Sequence, residues 1–363
     1  MARMMLTGDI VLDAPDPDHW LTGIAPATRA ADLTIGHLEV PHTDAPSVLA
    51  GDVPAPGADP ANLAALQRAG FGVLTLAGNH IADCGGRGIA DTRAGLASLG
   101  IAATGAGADL VAASAPALTR LGDTRVAVFS YNCVGPENAW ATETRAGCNW
   151  LRIETEDGSA IAPSAPLSRI GADVADRLKH DLSGIEAELK IVALHKGIVH
   201  TPARLAPYER ELARLAIDAG GDVVIGHHAH IVRGVEFYRG KPVFHGLGNG
   251  CVVTTALSPG QDDPAREAWV ARRKTLFGFE PDPAYTLAPF HPEAVNAFMG
   301  VIDWTNGAMR AGIMPVTVEA PGRPVIAGGT RVDTIIAYLH DIGTRAGLSP
   351  LVATWDGEVA WLG

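Results

Sequence analysis

Seven residues in this chain of 363 are of the kinds that hold a divalent cation or move protons beside one: Asp9, Glu39, Asn79, His80, His195, His228 and His230. Carboxylate and amide oxygens suit a hard cation and imidazole nitrogens a borderline one, so Asp9, Glu39, Asn79, His195, His228 and His230 form a mixed donor set for one divalent metal ion. The oxygen content makes calcium plausible, and manganese, zinc and iron fit the same donors. His228 and His230 lie two apart, a spacing that on a regular strand aims both side chains the same way. In Gly78-Asn79-His80 a ligand-type amide stands beside an imidazole that can transfer a proton. Asp83, three residues on, is spaced to orient that imidazole and raise its basicity.

Such residues need a frame. The apolar runs Arg3–Thr7, Leu33–Leu38, Val73–Ala77, Ile191–Leu194 and Val223–Ile225 read as strands, and each leads into one of the polar residues above. In α/β sheets, ligand sites open at the carboxyl ends of strands, so five such ends point to one gathered site. Helical spacing over Asn62–Ala69, Ile89–Leu99, Val174–Leu189 and Leu205–Ala219 supplies the intervening helices, with Gly100 as a C-cap. Arg125–Tyr131 reads as a further strand, and Val232–Phe244 as a hairpin turning near Arg239-Gly240. Ser258 to Pro292 is rich in proline and charge, yet carries Leu276, Phe277, Phe279 and Phe290, which suggests an irregular excursion near the site. Beyond it, Phe298–Trp304 and Arg310–Val318 read as strands and Val332–Thr344 as a helix. Leu351–Trp355 and Glu358–Leu362 form a hairpin across Asp356-Gly357. The expected organisation is one domain over 1–363: a motif-bearing core (1–255), an irregular active-site segment (256–297), and strands and a helix that complete the fold (298–363).

Hydrophobic residues make up 47% of the chain and charged residues 19%, enough apolar material for a large core. The net charge of −12, with no concentration of Lys and Arg, argues against nucleic-acid and anionic-membrane partners. No apolar run reaches the length of a membrane span. The opening MARMMLTGDIV reads as a core strand and not as an export signal. The four cysteines lack CxxC spacing and read as free thiols. The protein is therefore expected to be cytoplasmic. His37, His42, His180 and His340 read as packing or surface residues, and His227 as a neighbour of the ligand pair.

The segments LTGDIVLD, LEVPHT, LAGNHIADCGGRGIADT, ALHKG and IGHHAHIVRGVEFYRGKPVFHGLGN follow one another between Met4 and Gly250. Together they resemble the CapA family, named for poly-γ-glutamate capsule synthesis. The resemblance implies a calcineurin-like metallophosphoesterase fold, a four-layer α/β/β/α sandwich with two mixed sheets. GFEPDPAY and PFHPEA, within Gly278–Ala294, resemble a subgroup without a membrane anchor. Three departures matter. Metallophosphoesterases carry a His two residues after the first Asp, where this chain has Val11. Their second motif brings a bridging Asp, where this chain has Glu39. Val199-His200 stands where the family often has Glu-Tyr. A single cation is therefore expected in place of a full dinuclear centre.

Some CapA-like enzymes of lasso-peptide biosynthesis epimerise the C-terminal residue of a precursor peptide, and this chain resembles them in its soluble start, its single-metal ligand set and His291. Inverting a Cα needs one group to remove a proton from one face and another to return one to the opposite face. The carbanion must be stabilised at the adjacent carbonyl. His80 with Asp83, or Asp9, is the expected group on one side and His291 on the other. Arg272, Arg273 or Lys274 could hold a terminal carboxylate, and Trp20, Trp140 and Trp150 could line an aromatic pocket. The expected function is a metal-dependent peptide epimerase acting on a ribosomal precursor. The alternative is a metal-dependent hydrolase of a phosphoester or a γ-glutamyl or other amide bond. A non-catalytic accessory role would not require His80 beside the ligands.

Overall fold

The computed structural model describes residues 1–49, 55–256, 271, 274–275 and 278–363. Its centre is the strand Ala2–Leu12, buried from Met4 onward. This strand pairs in parallel with Leu33–Leu38, which continues through Val73–Thr75 to Ala102–Thr104. On its other side Asn296–Thr305 pairs antiparallel, followed by Ala308–Glu319 and the C-terminal hairpin Ala353–Trp355/Ala360–Leu362. Asn249–Val253 pairs with the far half of the central strand and Arg323–Ile326 with Ala308–Glu319, which completes ten strands.

A second, six-stranded sheet runs Val235–Tyr238, Lys241–Phe244, Val223–His227, Leu189–His195, Thr124–Asn132, Ala117–Leu121. Its inner strands are parallel and its two edge pairings antiparallel. Parallel strands covered on both faces need continuous apolar runs. Val126–Phe129 and Ile191–Leu194 supply them, each residue buried. Leu6 and Ile35 of the first sheet and Val128, Ile191 and Val224 of the second belong to one core, so the sheets pack face to face. Helices lie outside: Leu63–Arg68 and Gly85–Ser98 beside the first sheet, Val174–Ser183 and Pro207–Asp218 beside the second. Val174, Leu178 and Leu182 recur every four residues on the buried face of their helix. The result is the two-sheet α/β sandwich expected from the sequence. All four cysteines are free and buried.

Three local expectations need correction. The helix from Val174 ends at Ser183, where Gly184 closes on the His180 carbonyl; Leu189 instead starts a strand opposite Val126. The first strand does not end at Asp9 but continues to Leu12. Asn249–Val253 is a strand that the Gly-Asn run disguises. No described helix is long and apolar enough to cross a membrane.

Candidate metal centre

A bulge aims Asp9. Pairing with the second strand runs through Leu6↔Ile35 and resumes at Asp9↔His37, so the first strand advances three residues while its partner advances two. An extra residue twists a strand locally and redirects a side chain. Gly8 makes the bend possible, since a Cβ there would overlap the Gly248 carbonyl. The Asp9 amide donates to that same carbonyl at 2.8 Å. Glu39 follows the second strand directly, with its amide donating to Ile10 O. Two carboxylates are thus fixed side by side and fully buried.

His230 lies between them. Its Nε2 is 3.3 Å from Glu39 Oε1 and its Nδ1 3.8 Å from Asp9 Oδ2; Nδ1 also meets Asn249 Oδ1 at 2.9 Å. Burial and then the Glu39 charge push the Asp9 carboxyl well above its usual range. Burial opposes charge on His230, but Glu39 and Asp9 override it and raise the ring to about 9. Glu39 in turn is held at about 2 by His230 against the effect of burial. Charge on His230 thus goes with charge on Glu39, while Asp9 is the carboxyl pushed towards its neutral form.

His195 Nε2 is 2.7 Å from Asn79 Oδ1, and the His195 and His228 rings lie 4.8 Å apart. Burial lowers His195 well below the ordinary histidine value and His228 to about 3, so both rings are neutral, the form that ligates metal. The strand Val223–His227 ends before the ligand pair. His228 and His230 have φ of 87° and 53°, left-handed conformations that are uncommon for non-glycine residues. Their common direction therefore comes from this loop and not from strand spacing. The His228 amide donates to Asp9 Oδ2 at 3.1 Å, which holds the loop against strain of about 1–3 kcal/mol per residue.

The donor atoms suit a divalent cation. Both ring nitrogens of His228, His37 Nε2, His195 Nδ1 and Glu39 Oε2 are buried without a hydrogen-bond partner, and Glu39 Oε1 has only the 3.3 Å contact with His230. Each buried orphan costs about 1–3 kcal/mol, and such groups are rare unless a ligand completes them. Asp9, Glu39 and His230 offer ligand atoms within 4.8 Å of one another; so do Asp9, His37 and His195.

His37 is the residue that the sequence reading underrated. It is buried, and its Nδ1 is held by Thr75 Oγ1 at 2.9 Å. The signal was its position two residues before Glu39, where alternate strand residues share a face. Asn249, which supports His230, was also missed.

Beside the ligands, His80 Nδ1 and Asp83 Oδ2 are 2.8 Å apart, and the turn is closed by the Asp83 amide on His80 O. With Nδ1–H donating to the carboxylate, Nε2 is the basic nitrogen. His80, Glu39, Asn79, His228 and His230 all line a cavity of about 690 Å³, walled in part by Val40, Pro163–Ser168, Ile198 and Phe290. The Phe290 ring stacks on His230 with centroids 4.8 Å apart.

His291 does not line that cavity but a recess of about 20 Å³ with Asn249, the partner of His230, and Phe290, which lines both; its Nδ1 accepts the Glu293 amide at 3.1 Å, capping the short turn Pro292–Val295. Lys274 is exposed and paired with Glu280. Arg272 and Arg273 lie outside the described residues. Trp20 donates to Pro15 O, Trp140 and Trp150 stack on each other at 4.4 Å, and none of the three lines the cavity.

A second buried charge cluster lies behind the cavity loop. Glu209 joins Lys196 and Arg233, each at 2.8 Å. Arg233 also donates to the Ile198 carbonyl. Nearby, Glu236 accepts from His245 and Arg210.

The profile described as bacterial capsule synthesis protein PGA_cap matches residues 3–252, and the chain belongs to this family. It is 37% identical over 191 residues to a "probable polyglutamine synthesis accessory protein" of Mycobacterium tuberculosis, covering 52% of this chain and 47% of the relative. It is 28% identical over 185 residues to the capsule biosynthesis protein CapA of Bacillus anthracis, covering 51% and 41% respectively. The chain thus spans about half the length of these curated relatives. Among solved structures, the calcineurin-like phosphoesterase YfkN of Bacillus subtilis aligns over 95% of this chain and 98% of its own, with 12% identity and a TM-score of 0.37. Family membership rests on the profile and not on that distant likeness.

Proposed function

We propose that the protein is a metal-dependent epimerase that inverts the Cα of a residue, at the C-terminal end, in a ribosomal precursor peptide. The observation that carries this reading is the His80–Asp83 pair opening onto the same cavity as a buried set of unpartnered cation donors. Asp9, Glu39, Asn79, His195, His228 and His230 would hold the cation, with His37 beside Asp9. A bound divalent cation would stabilise negative charge on the carbonyl oxygen next to the reacting Cα. His80 takes or returns the proton through Nε2 while Asp83 fixes its tautomer, and Asp9 is the other acid–base group on that side. His291 is proposed for the opposite face because its recess is lined by Asn249, which holds His230, and by Phe290, which also lines the main cavity. The partner in this reading is a precursor peptide; nucleic acid and membrane play no part.

One observation favours the hydrolytic alternative. His37 restores an imidazole beside Asp9, and Asp9 is shared by two ligand groups, an arrangement that two water-activating cations could use. Incubating the protein with a precursor peptide in D₂O separates the readings. One deuterium at Cα, an inverted residue and an intact chain are expected. Cleavage or phosphate release means hydrolysis. His80→Ala and His291→Ala should each abolish exchange; normal turnover in either variant removes that residue from the mechanism.

A further inference from the structure

The cavity has a charged floor and a largely apolar wall, with prolines at Pro56, Pro163, Pro166, Pro207 and Pro289. Among the described residues lining it, Arg204 is the one Lys or Arg. It sits on the loop that enters the helix Pro207–Asp218 and is exposed.

Arg204 is also the exception among the arginines. Every other described arginine is engaged by a carboxylate, a carbonyl, an amide oxygen or an aromatic ring. No such contact joins Arg204 to any described residue. This happens in a chain with 40 acidic residues against 28 basic ones, and with Asp13 and Glu156 lining the same cavity. A guanidinium is a rigid fork of donors matched to a carboxylate, which it grips with two parallel hydrogen bonds. A backbone carbonyl inside a peptide offers no such partner, whereas a chain end does.

We infer that Arg204 binds the C-terminal α-carboxylate of a peptide whose last residues lie along the apolar wall. This rests on the peptide reading above. It adds that the enzyme selects its target residue by distance from a free chain end.

The test uses the full chain with calcium and an array of hexapeptides displayed with free C-termini, beside an identical array amidated at the C-terminus. The protein should be retained about tenfold or more strongly by the free acids, the size of a lost charge-assisted hydrogen bond. Arg204→Gln should erase the preference and Arg204→Lys keep part of it, with thermal melts matching the parent. Equal capture by both arrays, preference surviving in Arg204→Gln, or no capture at all overturns the inference. So does capture of amidated peptides ending in Glu at the level of free acids, because the carboxylate source is then a side chain. Cα exchange in D₂O on the retained peptides keeps the two ideas apart. Preference without exchange sinks the epimerase reading alone, and exchange without preference sinks the role of Arg204 alone.

Discussion

Two clusters of buried charge lie on either side of the loop 195–200, and they are built on opposite terms. Around Glu209 both carboxylate oxygens are taken, by Lys196, Arg233 and the Ala206 amide. Around Glu39 neither oxygen accepts a well-formed hydrogen bond, and Oε1 has only His230 Nε2 at 3.3 Å. Both carboxylates are held at about 2 against burial, Glu209 by two permanent cations and Glu39 by one imidazolium. The first cluster is closed and ties the helix Pro207–Asp218 to the cavity wall. The second is complete only with an added charge. Counting buried charges would rank the two alike; counting unclaimed oxygens separates framework from site.

The comparison can be broken most directly at Glu209. Glu209→Ala strands Lys196 and Arg233 in the core, and a loss of about 3–5 kcal/mol in urea unfolding is expected. Glu39→Gln in metal-free protein should cost clearly less in the same assay, because His230 can give up its proton when Glu39 is gone whereas Lys196 and Arg233 stay charged. Equal losses would mean that both clusters are framework. Next in size, calorimetric titration of Glu39→Gln with calcium or manganese should show affinity lowered about 100-fold or more, since even partners of ligands are worth about 10–100-fold. Unchanged affinity would remove Glu39 from the ligand set. Thr75→Val sharpens the position of His37: losing the Nδ1 partner should weaken cation binding about tenfold if His37 ligates, and leave it unchanged if His37 only packs.

The smallest effect is on pH. Burial alone would raise Glu209, but Arg233 and Lys196 hold it at about 2, below its ordinary 4.5. Its folded value is depressed, so its contribution is fully present above pH 4.5 and is lost as pH falls towards 2. Lys196 is pulled below 10.5 by burial and supplies no stabilisation in that acid window. The stability difference between the parent and Glu209→Ala, measured in chelator so that groups titrating in both proteins cancel, should stay level above pH 5 and shrink below it. A level profile down to pH 2.5 would contradict the assignment of Glu209.

Much of the frame was legible because parallel strands write their burial as unbroken apolar runs. Ile191–Leu194 and Val223–Ile225 were placed to within a residue or two. Convergence of Asp9, Glu39 and His230 was legible too, since polar residues that follow such runs share one rim of the sheet. Other features depend on relations that spacing does not encode. The bulge before Asp9 is a property of two strands together. The direction of His228 and His230 is set by left-handed backbone, which a two-residue interval does not reveal. The use of His291 Nδ1 to cap the Glu293 amide depends on a local turn that residue type does not announce. The end of the helix at Ser183 was decided by the sheet, which needed Leu189.

The pairing of Asp9 with His37 has a consequence for how such proteins are compared. The imidazole missing at Val11 has a counterpart one rung sideways, on the adjacent strand. A donor can therefore migrate laterally while the fold stays put, and a pattern that scans only forward from the aspartate will score the chain as deficient. Related sequences that look incomplete in the same way are better judged by what stands opposite each aspartate on the neighbouring strand.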